Sequence, residues 1–114
     1  MPVQKILGYS PERMITMLSI TAKVKTLAEE MDRMNSICLN LECALGTIPE
    51  EKFAEEIGKF ARDMYDFRVL TKEREQLISL IRKVCTKEID VKNALNAIKD
   101  ARQELVNTRS RIKI

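Results

Sequence analysis

The chain of 114 residues contains no histidine and no tryptophan. Without histidine it lacks the side chain most often used as a general base or transition-metal ligand. It also lacks the Glu-x-x-His pairs on which carboxylate metal sites in helical bundles depend. Nothing in it resembles a P-loop, a dinucleotide fingerprint, HExxH, GxSxG or an EF-hand loop. A non-catalytic protein with no cofactor and no metal is therefore expected.

Other scarcities narrow the class further. The three cysteines, Cys38, Cys43 and Cys85, are odd in number and show no CxxC spacing. A disulfide framework or a zinc knuckle is not expected from them, and Cys38 reads as a small core residue. No uninterrupted apolar run exceeds three residues, which is too short for a membrane-spanning helix. No basic start leads into an apolar segment, so a secretory signal is not expected and a cytoplasmic or nuclear location is. Aromatic residues make up 4% of the chain and none follows Phe67. Glycine and proline occur three times each, and neither occurs between Lys59 and Ile114.

What the chain does have is helical periodicity. Met17, Ile20, Val24, Leu27, Met31, Met34, Cys38, Leu41 and Leu45 follow one another at alternating steps of three and four. This spacing places all of them along one side of a helix, with no period-2 competitor. Ser10-Pro11-Glu12 supplies an N-cap, a first-turn proline and a first-turn acid, and Gly46 supplies a C′ residue. The first helix is thus expected over 11–45. Its flanking positions are mixed and often small or apolar, which suits a bundle better than a two-stranded zipper. The acidic pairs Glu29–Glu30, Glu55–Glu56 and Asp63/Asp66 read as solvated helix faces.

Thr47-Ile48-Pro49-Glu50 reads as a capping box that restarts a helix running back antiparallel, with Phe53, Ile57, Phe60, Met64 and Phe67 facing inward. A second row follows at seven-residue spacing: Leu70, Leu77, Val84, Val91, Ile98, Leu105, Ile112. Its phase does not continue the Phe60–Met64–Phe67 series, so a local adjustment is expected near Val69–Thr71. Arg74 and Glu88 interrupt this row, as an interrupted heptad or a helix boundary would. Asp90 can cap a new helix, and Ile89 and Ala94 stand at staple spacing. The reading is an all-α antiparallel three-helix bundle with helices at about 11–45, 49–85 and 91–110. The alternative is a helical hairpin whose second helix, of about 60 residues at the helical rise, dimerises. Residues 1–10 read as an N-terminal arm and residues 11–114 as a single bundle domain.

Function follows from surface rather than from motif. Apolar coverage around Ile37–Leu45 and in LISLI (Leu77–Ile81) extends beyond one helix face. Six methionines add adaptable packing. These features suggest an adaptor or small subunit that binds a protein partner, by a helix in a groove or as a homo-oligomer. Ile37, Leu39, Leu77, Ile78 and Ile81 are the candidate contact residues. The net charge of +3 arises in residues 99–114, where five basic residues face two acidic ones. Arg102, Arg109, Arg111 and Lys113 are accordingly candidates for a nucleic-acid or other anionic partner. No base-stacking aromatic accompanies them, and cations also complement a helix C-terminus. The length and three-helix layout resemble a spectrin-type repeat or a BAG-class co-chaperone bundle, a likeness of architecture without the tryptophans that mark spectrin repeats.

Overall fold

A helix of 37 residues, α1 (Pro11–Thr47), sets the long axis, and the rest of the chain packs along its C-terminal half. The computed structural model describes the backbone of residues 11–113 and the side chains of residues 22–113. The expected arm 1–10 with Ser10, the side chains of Met17 and Ile20, and Ile114 lie outside the described residues. Among the described residues all regular structure is helical, so the all-α bundle expected from periodicity is the fold that forms. The described residues include no helix long and apolar enough to cross a membrane.

After α1 come a 3-10 turn (Glu50–Lys52), α2 (Phe53–Glu56), α3 (Lys59–Arg62), α4 (Thr71–Cys85) and α5 (Val91–Ser110). The contacts fix their directions. Arg33 of α1 reaches Asp63 and Asp66, and Glu30 reaches residues 68–70, so the segment after Pro49 runs back along α1. The Cys85 thiol at the far end of α4 lies 3.5 Å from the Phe53 carbonyl, so α4 returns parallel to α1. Arg102 then meets Glu42 and Arg109 meets Asp32, so α5 is antiparallel to α1. Leu41, Ile57, Met64 and Ile98, contributed by all these passes except α4, are fully buried; Ile81 brings α4 into the same cluster.

The row on α1 is buried where the bundle covers it: Met31, Met34, Cys38, Leu41 and Leu45 all lie in the core. Leu27 and Val24 are both half-buried and only Leu27 packs against the core, because α5 ends beside Asp32 and the 67–70 corner sits at Glu30. The backbone of α1 nevertheless remains helical back to Pro11. At 1.5 Å per residue, about 25 Å of this helix lies beyond the bundle that the described residues form.

The second helix expected over 49–85 does not form as one rod. Thr47 does not cap it either; its hydroxyl donates back to the Cys43 carbonyl at 2.9 Å, and α1 runs two residues past Leu45. Between Pro49 and Phe67 the chain advances in short turns, many with i→i−3 hydrogen bonds such as Phe60 to Ile57 and Phe67 to Met64. Gly58 stands at the break between α2 and α3, and a Cβ there would lie 2.8 Å from the Ala54 carbonyl oxygen. The tighter winding still turns Phe53, Ile57, Met64 and Phe67 inward, so the inward face read from the sequence is kept although the regular helix is not.

The expected break near Thr86–Asp90 is present, and it rules out the 60-residue helix of the alternative reading. The Lys87 amide bonds the Val84 carbonyl and the Glu88 amide bonds the Lys83 carbonyl, which together close a Schellman motif. Asp90 then caps α5, its carboxylate accepting the Asn93 amide at 2.7 Å, and Ile89 and Ala94, at staple spacing, both pack into the core. Lys87 occupies the left-handed position of the motif at φ 62°. Only glycine sits there without strain from its Cβ. Lys87→Gly is therefore expected to stabilise the protein by about 0.5–1 kcal/mol, read as a rise in the urea midpoint at unchanged slope.

Candidate interaction groove

Two residues of α1, one helical turn apart, set the corner from which the groove is built. Glu30 is 6% exposed and its carboxylate accepts three backbone amides: Arg68 and Val69 at 2.9 Å and Leu70 at 3.0 Å. Burial pushes this carboxyl up; the Leu70, Arg68 and Val69 amides, with the nearby Arg33 guanidinium, outweigh it and hold the group below its ordinary value. Glu30 also places negative charge at the entrance of α4, where the helix dipole favours it. Arg33 forks onto Asp66 at 2.9 and 3.1 Å, donates to the Asp63 carbonyl at 2.7 Å, and lies 4.6 Å over the Phe67 ring. This bond to Arg33 holds the exposed Asp66 carboxyl below its usual range. The reading of Glu30 as a solvated residue is thus corrected, while Asp63 and Asp66 are exposed as expected.

The corner turns α4 back alongside α5, and the two helices leave a groove between them. Its floor is α1, with Met31, Met34 and Cys38; α4 contributes Leu77 and Leu80, and α5 contributes Ala97, Ala101 and Leu105. The groove encloses about 410 Å³ and its polar rim is Glu73, Gln76, Glu104 and Thr108. Small side chains one turn apart, Ala97 and Ala101, are exposed on the α5 wall. The Cys38 thiol in the floor is pushed up to about 11 by burial and, secondarily, by the Glu42 carboxylate. At neutral pH it stays a neutral thiol, which is a poor nucleophile.

The candidate contact residues fall in several places. Leu77 and Ile81 are core residues, and Ile37 and Ile78 are half-buried against the core. Leu39 is 43% exposed on α1, away from the groove. Among the five, Leu77 alone reaches the groove wall. The basic candidates are divided in a similar way. Arg102 bonds Glu42 at 2.6 Å, and Arg109 bonds Asp32 at 2.9 Å and the Ile112 carbonyl at 2.9 Å. Arg111 and Lys113 are exposed at the chain end. Two of the four cations therefore serve to fasten α5 to α1.

Ala97, Ala101 and Leu80 escaped sequence reasoning as a wall. The available signal was a pair of small residues one turn apart, beside an apolar row that needs larger side chains to fill it. No group of three or more metal-binding side chains occurs among the described residues. No family model, no curated protein and no solved structure matches this chain.

Proposed function

We propose that the protein is a non-catalytic helical interaction module that seats a partner helix in the groove between α4 and α5. The observation that carries this reading is the groove's construction. Its floor and walls are apolar, its rim is polar, and the exposed alanines of one wall let another backbone approach closely. A helix with anchors at i, i+3, i+4 and i+7 fits such a surface. The rim carboxylates Glu73 and Glu104 favour basic residues beside those anchors.

A fluorescent 18-residue amphipathic helix of leucine and lysine is a suitable probe, of a length that amphipathic ligand helices commonly have. Its anisotropy is expected to saturate on titration with dilute chain, at micromolar dissociation constant. Ala101→Arg should weaken this binding about hundredfold by filling the groove, while Arg111→Ala should leave it within about twofold. A probe that fails to saturate, or that binds the Ala101→Arg variant equally well, would overturn the reading.

A further inference from the structure

We infer that the helix seated in the groove is the projecting half of α1 from a second copy of this chain, the two copies exchanging these segments about a two-fold axis. This assignment rests on the reading of the groove as a helix seat and adds the identity of the occupant.

Three observations point to a second copy. The first is length. About 25 Å of α1 extends beyond the bundle, whereas the groove walls, from Leu70 to Leu80 and from Ala97 to Thr108, are some 15 Å long at the helical rise. The projecting segment is long enough to cross the gap between two bundles and still fill a groove. The second is side. Val24 belongs to the same sequence row as Met31, Met34 and Cys38, the groove floor, so the projecting row continues the floor's side of the helix. Antiparallel pairing of two such helices then sets each projecting row against the other copy's floor, and one operation satisfies both seats. The third is charge. Lys23 and Lys25 are exposed on the projecting segment, whereas the groove rim carries Glu73 and Glu104. By heptad position Lys23 borders the row, where it would face the partner's rim.

Pairing within one chain does not explain these features. Lys23 lies eight residues before Met31, the N-terminal end of the groove floor, which is about 12 Å along a helix pointing away from it. Its ammonium and the Glu104 carboxylate of the same chain are therefore out of contact, and only another copy brings them together.

Size-exclusion chromatography with light scattering on the full chain tests the assignment, starting from about 100 µM, where a micromolar dimer is nearly saturated. A dimer is expected, and Ala101→Arg should raise its dissociation constant about hundredfold. Because losing the dimer by itself lowers the melting temperature at this concentration, the fold is checked on both chains diluted below the parent's dissociation constant, where they should melt together since Ala101 is exposed. Glu104→Lys should also weaken the dimer, and adding Lys23→Glu should restore part of the loss. Zero-length carboxyl–amine cross-linking in a mixture of ¹⁴N and ¹⁵N chains should join Lys23 to Glu104 in mixed-isotope pairs. A chain that stays monomeric at this concentration, yet binds the leucine–lysine probe in the groove, overturns the second-copy assignment and leaves the helix seat intact. A monomer that does not bind the probe removes both. A dimer that survives Ala101→Arg and gives no Lys23–Glu104 link overturns the assignment by placing the contact elsewhere.

Discussion

Replacing Glu30 by alanine is expected to destabilise the protein by about 3 kcal/mol, close to what losing two or three hydrogen bonds to a charged acceptor costs. The carboxylate ties together Arg68, Val69 and Leu70, and the Leu70 amide is buried. For a domain of this size the loss corresponds to roughly 10–20 °C in melting temperature. Glu30→Gln keeps the shape and one acceptor oxygen but turns an amide donor toward a backbone donor, so about half that loss is expected. The pair of variants also separates charge from shape through pH. The Glu30 carboxyl is held below its ordinary value in the folded protein, so between that value and the unfolded one the unfolded chain binds more protons. Its stabilisation is complete above the ordinary glutamate range, near pH 4–5, and fades as pH falls through the lower, folded value. Urea denaturation at about pH 7 and pH 3.5 should show the parent losing more stability on acidification than Glu30→Gln. Equal losses would mean that Glu30 does not hold the corner as a carboxylate.

The same residue explains why the second helix was only partly legible. The slip in phase near Val69–Thr71 is visible in the sequence as a mismatch between two apolar rows. That the mismatch is a reversal of the chain depends on Glu30, forty positions before Leu70, and no local pattern joins the two. Glu30 itself is disguised by its neighbour Glu29, which is exposed as an ordinary surface acid. The third helix, in contrast, was legible to its ends, because cap, staple and apolar row all lie within Ile89–Ser110 and agree.

Most of the candidate contact residues are covered from within the chain for a related reason. Apolar coverage at Ile37 and at Leu77–Ile81 extends beyond one face, and a bundle of three rods leaves such residues in need of an outside partner. The observed bundle has a fourth side, the irregular segment from Phe53 to Phe67, which covers much of that surface from within the chain. Breaking the second helix thus satisfies residues that would otherwise have advertised a docking face. The opening that remains lies where α4 and α5 part, and its alanines carry no apolar signal strong enough to be read from the sequence.

Leu41→Asp is expected to unfold the protein outright. Leu41 is 0% exposed, and side chains from α4, α5 and the Ile57 region surround it. The substitution removes about 2–5 kcal/mol of packing, as a buried leucine-to-alanine change does, and adds an unpaired buried charge worth several more. Together these match the 5–15 kcal/mol that holds a typical domain folded. Leu27→Asp, drawn from the same row, should be milder because Leu27 is half-buried near the open end of the bundle. Leu39→Asp supplies the control: two residues from Leu41 on the same helix but 43% exposed, it should change stability by no more than about 0.5 kcal/mol. Far-UV circular dichroism should show Leu41→Asp without a cooperative melt, while Leu39→Asp melts with the parent. A cooperative transition in Leu41→Asp within a few degrees of the parent would mean that the α1 row is not the surface on which the other helices fold.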